Sequence, residues 1–182
     1  MMTSRDFDII DFLIDYQIAT TSTIAKKFFT SDVRCQIRMK QLYDDKRVKR
    51  ARLSFNHDYM YYVNKPKQYM HQLLITEFYG ELMRNSNVIS FTKSKKVGSI
   101  IPDSIFAYEI NGIKKLGLLE VEISNKGFDY DKYEKFFLSG EYSNYFPEMP
   151  PVYVVCKNAR IPKNTPVEFI KIKTDLSNFK IM

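Results

Sequence analysis

Apolar residues recur at helical spacing three times between positions 4 and 47, and the pattern then switches to short alternating runs. In the first segment Phe7, Ile10, Leu13 and Ile14 fall at i, i+3, i+6 and i+7, which predicts a helix burying that face, while Asp8, Asp11 and Asp15 share another. Thr3 or Ser4 suits its cap. The second segment starts after Thr20, Thr21 and Ser22, with Ile24 and Phe28 four apart. The third opens on another cap cluster, Thr30 to Asp32, and puts Cys35, Met39 and Leu42 on one inward face. Val48 to Ser54, a turn at Phe55 to Asp58, and Tyr59 to Val63 then predict a two-stranded hairpin. Asn64, Lys65 and Pro66 close this region, so a boundary is expected at residue 66.

Three helices followed by a hairpin is the winged helix-turn-helix layout, and the charge of the chain collects on it. The net charge is +7. Between Lys26 and Arg52 stand ten bases against three acids, so this window accounts for the whole excess. A focused excess points to a polyanionic partner more strongly than a dispersed one. With Cys35, Met39 and Leu42 inward, Arg34, Arg38 and Gln41 line the outer stripe of the third helix, flanked by Gln36, Ile37 and Lys40. Arginine and glutamine in that position can read base edges in a major groove. The hairpin brings Arg47, Lys49, Arg50 and Arg52, suited to phosphates. Lys26 and Lys27 add charge, and His57 stands at the hairpin tip, within reach of a groove or simply solvated. The expected partner is double-stranded DNA, with Lys26, Lys27, Arg34, Gln36, Arg38, Lys40, Gln41, Arg47, Lys49, Arg50, Arg52 and His57 as its contacts. The plainer alternatives are an ordinary solvated basic surface or a protein-interaction module.

From residue 67 to 182 the pattern differs. His71 to Arg84 predicts a helix with Leu74, Phe78 and Leu82 inward. Strand candidates come next at Val88 to Thr92, Ser99 to Ile110, Leu116 to Ser124, Val152 to Cys156 and Val167 to Ile172, with an aromatic helix at Tyr130 to Leu138. This order predicts a mixed α/β domain around one sheet, with Val152 to Cys156 as an interior strand. The whole chain is therefore expected to be α+β.

The most specific chemistry-bearing string is Pro102-Asp103, followed by Glu120 and Glu122 on a strand. Carboxylates on neighbouring strands can hold Mg²⁺ and position a water for phosphodiester cleavage, so Asp103 and Glu120 are the candidate metal ligands. Glu77 and Glu81 on the preceding helix are further acids. The plain readings are a turn residue for Asp103 and a solvated strand face for Glu120 and Glu122.

These residues resemble the PD-(D/E)xK nuclease superfamily, a restriction-endonuclease-like fold, which implies Asp103 and Glu120 as catalytic carboxylates. Glu122 stands where that family carries lysine, and Lys126, Lys132 or Lys135 are the available substitutes. A winged helix ahead of such a domain also resembles the replication-relaxation family of plasmids, phages and mobile elements. The resemblance rests on Pro102-Asp103, the Leu119-Glu120-Val121-Glu122 strand and the Lys132, Tyr133, Lys135, Phe136 helix. It implies DNA binding in replication, mobilisation or transcription, with a homodimer and replication or relaxosome proteins as further partners. The nuclease-like domain is then expected to be non-catalytic, with Mg²⁺ required only if the site is active. The rivals are a Mg²⁺-dependent DNA endonuclease using Asp103 and Glu120, with Glu122 and Lys126 as accessory candidates, and an inhibitor or interaction module made by a mobile element.

Other classes find little support. Two cysteines 121 positions apart make neither a thiolate zinc site nor a disulfide framework. No Walker loop or dinucleotide fingerprint occurs. Two histidines are too few for a relaxase-type tyrosine centre with its histidine cluster. The aromatic run from Phe128 to Phe146 is expected to pack as core or at a dimer contact. No run approaches membrane-spanning length, and the acidic opening unlike a signal peptide leads to an expected cytoplasmic location.

Overall fold

The computed structural model describes residues 1–54, 57–124, 127–158, 160, 162 and 164–181. They form an α+β protein of two compact units, Met1–Arg84 and Asn85–Met182.

The first unit opens with α1 (Ser4–Asp15), β1 (Ala19–Thr20), α2 (Thr21–Phe28) and α3 (Asp32–Asp44). The hairpin strands β2 (Lys49–Ala51) and β3 (Met60–Tyr62) come next, and then α4 (Tyr69–Asn85). Two of the three expected caps form: Thr3 precedes α1 and Thr20 accepts from the Thr23 amide at the start of α2, whereas Ser31 at the start of α3 makes no side-chain cap bond. Strands β1 and β2 flank β3, both antiparallel to it. The pairing of β1 has no signal in the sequence, because two residues carry no periodicity.

On α3 the buried residues are Cys35, Met39 and Leu42, as the spacing predicts. On α1 the expected face is corrected. Asp6, Ile9, Phe12 and Leu13 are buried, whereas Phe7 is 56% and Ile14 55% exposed. Helix α1 therefore sits rotated about its axis, because the buried face contains an acid that an apolar pattern cannot reveal.

Helix α4 belongs with this first unit, and the division falls at Arg84 rather than at 66. Leu73 joins Ile18 and Met60 in one apolar cluster. Glu77 Oε1 accepts from the hydroxyls of Thr20 (2.7 Å) and Thr23 (2.8 Å), and Lys26 Nζ reaches Glu81 Oε1 at 3.1 Å. A carboxylate at the N-terminal end of α2 also meets the helix dipole favourably. The acids Glu77 and Glu81 thus tie α4 to α2.

The second unit is a five-stranded mixed sheet in the order β4 (Asn87–Lys93), β5 (Ser104–Ile110), β6 (Ile113–Glu122), β7 (Val152–Cys156), β8 (Phe169–Ile172). Strands β4 to β6 form an antiparallel meander, and β6, β7 and β8 run parallel. Helix α5 (Asp131–Leu138) and a short 3-10 helix (Glu141–Asn144) connect β6 to β7. Every residue of β7 is buried, as its unbroken apolar run predicts. Most of the aromatic run packs inward: Tyr133 and Phe136 are fully buried with Leu118, Val152 and Val154, and Phe128, Tyr130, Phe137 and Tyr142 pack around them, whereas Tyr145 is 52% exposed.

Candidate nucleic-acid interface and the buried carboxylates

The twelve residues expected at a DNA surface separate into two sets. Lys26 and Lys27 turn onto α4, away from solvent-facing α3. Lys27 Nζ donates to the Tyr79 hydroxyl at 2.9 Å and lies 5.2 to 5.6 Å from the ring centroids of Phe12, Phe28 and Tyr79. Arg38 is likewise a structural tie. Its Nε donates to Asp6 Oδ1 (2.8 Å) and its terminal nitrogens to Asp6 Oδ2, the Met1 carbonyl and Gln41 Oε1. The Asp6 side chain is fully buried, and the Arg38 guanidinium beside it holds its carboxyl well below the usual carboxylate range. The sequence places these three bases among the DNA contacts; the packing assigns their charge to the fold.

The remaining set is exposed around α3 and the hairpin. Arg34, Gln36, Lys40 and Gln41 stand outward on α3, with Arg47, Lys49 and Arg52 exposed and Arg50 half-buried. Lys40 pairs with Asp44 one turn on, both side chains half or more exposed, which costs little to break. Arg34 lines a cleft of about 430 Å³ with Ile37, Phe29 and Arg5. The Arg5 guanidinium stacks over Phe29 at 5.0 Å. Arg5 lies outside the basic window of the sequence, which hid it. His57 is exposed, with Nδ1 2.5 Å from Ser54 Oγ. The turn residues Phe55 and Asn56 lie outside the described residues.

A turn of defined geometry joins α3 to the hairpin. The Lys46 amide donates to the Tyr43 carbonyl and the Arg47 amide to the Leu42 carbonyl, each at 2.9 Å. Lys46 itself adopts φ 59°, the left-handed cap position usually given to glycine.

In the second unit the register places Ser104 opposite Leu119, with Asp103 and Glu120 at the next positions of the two strands. Asp103 Oδ2 accepts the Val121 amide at 2.7 Å, extending the ladder by a side chain. Glu120 Oε1 accepts from Lys132 Nζ at 2.6 Å and from the Tyr133 hydroxyl at 2.5 Å. Burial pushes the Glu120 carboxyl above its usual value, while Lys132 and Tyr133 act in the opposite direction. Burial and the neighbouring Glu120 also hold the Tyr133 hydroxyl above the usual tyrosine range.

Of the three lysines available as substitutes, Lys132 is the one beside Glu120; Lys126 lies outside the described residues. Glu122 does not join the cluster, since its carboxylate accepts from the Ser124 amide at 2.7 Å. The fit to a divalent metal is poor. Asp103 and Glu120 each already have an oxygen engaged by the protein. Among the described residues no group of three histidine, cysteine or acidic side chains comes together to hold one.

No helix among the described residues is long and apolar enough to cross a membrane. Compared with protein-family models, curated proteins and solved structures, the chain has no match.

Proposed function

We propose that the first unit is a winged helix-turn-helix domain that binds double-stranded DNA, with α3 as its recognition helix and the β2–β3 hairpin as its wing. The observation carrying this reading is the sorting of the bases by what they contact. Lys26 and Arg38 are drawn into ion pairs with Glu81 and Asp6, and Lys27 is held on Tyr79, yet Arg34, Lys40, Arg47, Lys49, Arg50 and Arg52 still gather around α3 and β2. Such a surface matches the phosphate lattice of a duplex, and Arg34, Gln36 and Gln41 supply groups for base edges.

The second unit, with α4 ahead of it, has the order helix, three antiparallel strands, helix, parallel strand. That order supports a degenerate PD-(D/E)xK-like, restriction-endonuclease-like fold, and with the winged helix it supports membership of the replication-relaxation type. The unit serves as a non-catalytic scaffold. Two like charges in one strand can be reconciled by a cation or a base, and here the Lys132 ammonium meets Glu120 from within the protein. The role is that of a DNA-binding accessory or regulator of a plasmid, phage or mobile element, acting in replication, mobilisation or transcription.

Charge-matched substitutions test the reading. Removing Arg34 and Arg47 as alanines weakens binding to a labelled duplex, whereas Lys95→Ala with Lys96→Ala in the second unit leaves it near wild type. Equal losses in both pairs would reduce the interface to general basicity. Incubation with supercoiled plasmid and Mg²⁺ leaves the DNA intact; nicking abolished by Asp103→Ala would overturn the scaffold reading.

A further inference from the structure

We infer that Tyr59 is a positioning residue that aims two wing arginines at the DNA backbone, an inference that rests on the DNA-binding reading above. The Arg50 guanidinium lies 4.2 Å from the Tyr59 ring centroid and that of Arg52 lies 3.7 Å from it. Arg50 is also 4.1 Å from the ring of Tyr43 on α3. One planar cation therefore stacks with rings from the recognition helix and the hairpin, and its neighbour shares the hairpin ring. Cation–π contacts of this kind hold an arginine without neutralising it.

The ring itself is anchored. The Tyr59 carbonyl accepts from the Thr21 amide at 3.0 Å and the Thr21 hydroxyl at 3.3 Å, at the first turn of α2. Its ring lies 6.2 Å from that of Tyr61. Backbone and ring are thus tied to the helical part of the unit at the point where the hairpin strand begins.

The two guanidinium groups border a concavity of about 240 Å³ together with Gln36, Lys40, Asp58 and Tyr59. Arg50 and Arg52 converge there with Asp58, and Lys40, paired with Asp44, borders the same space, which is ample for a phosphodiester group. The ligand of this subsite is a backbone phosphate of the bound duplex. An exposed arginine normally loses rotamer freedom when it grips a phosphate; one already stacked on a fixed ring has lost much of it beforehand.

The test is a salt-series titration of the full-length protein with a short labelled duplex. Tyr59→Leu keeps apolar bulk but removes the ring, and weakens binding about tenfold with an unchanged slope against salt, since every cation remains. Tyr59→Phe keeps the ring and binds as wild type. Arg52→Lys keeps the charge but loses the planar stack, and also weakens binding at unchanged slope. Arg50→Ala with Arg52→Ala removes the one phosphate contact of this subsite and lowers the slope by about one.

Tyr59→Leu at wild-type affinity, or Tyr59→Phe as weak as Tyr59→Leu, overturns the positioning role. If circular dichroism shows Tyr59→Leu unfolded, Arg52→Lys decides, and wild-type affinity there overturns the inference. Unchanged affinity and slope in the double alanine variant would instead sink the reading of the wing as a DNA contact.

Discussion

Asp6 and Arg38 illustrate how far a side chain's surroundings can redirect its role. Asp6 accepts from the Thr3 amide at 2.6 Å and hydroxyl at 2.9 Å, closing the cap of α1, while Arg38 reaches it from α3. Replacing Arg38 by alanine strands a buried carboxylate and lowers stability by about 3 kcal/mol, measurable by urea unfolding. Asp6→Asn with Arg38→Gln recovers part of that loss. Because the folded Asp6 carboxyl titrates below its unfolded value, its contribution is complete above about pH 4 and fades as pH falls below that. The stability of Asp6→Asn therefore depends less on pH in the acid range than that of the wild type. The sequence contains the cap signature, Thr3 with Asp6 three residues on, but the distant arginine that completes it has no local signal. Lys46, held at φ 59°, makes a second residue-scale prediction. Lys46→Gly stabilises the protein against urea by about 0.5 kcal/mol or more.

Elements were legible where periodicity was long and ambiguous where it was short. Helix α3 and strand β7 appear with their expected buried faces, because apolar spacing and burial agree there. Helix α1 offered two overlapping faces with the same i, i+3, i+6, i+7 spacing, and the one containing the paired Asp6 is buried. Within the central meander, Gly117 stands opposite Phe106, and a Cβ at 117 would approach the Phe106 ring to 2.3 Å. Gly117→Ala therefore destabilises the protein by about 1 to 3 kcal/mol, whereas the same change at Gly112, with open space around it, acts only through its φ of 78°. At the other end of β6, Glu120 and Lys132 act as a unit. Lys132→Met alone destabilises by about 2 kcal/mol, and adding Glu120→Gln recovers part of the loss. A double-variant cycle that is purely additive would show the pair to be independent.

At the scale of the molecule, the sequence revealed a change of character between its halves but not where packing changes hands. Pro66 marks a break in the chain, yet α4 continues the first unit through Glu77, Tyr79 and Glu81, whose partners on or beside α2 lie more than fifty residues away. The charge count placed ten bases in one window, and could not show that packing engages three of them, Lys26 with Glu81, Lys27 with Tyr79 and Arg38 with Asp6. The two carboxylates were found from sequence; their engagement by Val121, Lys132 and Tyr133 needed the sheet register and α5. The molecule thus presents basic residues around α3 and the β2–β3 hairpin, and a second unit in which the Asp103 and Glu120 carboxylates are already engaged by the protein.

The salt dependence of duplex binding by the intact chain tests this most directly. With about five exposed bases neutralising phosphates, the logarithm of the association constant falls against that of salt concentration with a slope of about −4. Arg47→Ala makes that slope shallower by about one. Absence of duplex binding at low salt, or a slope near zero, would contradict the account.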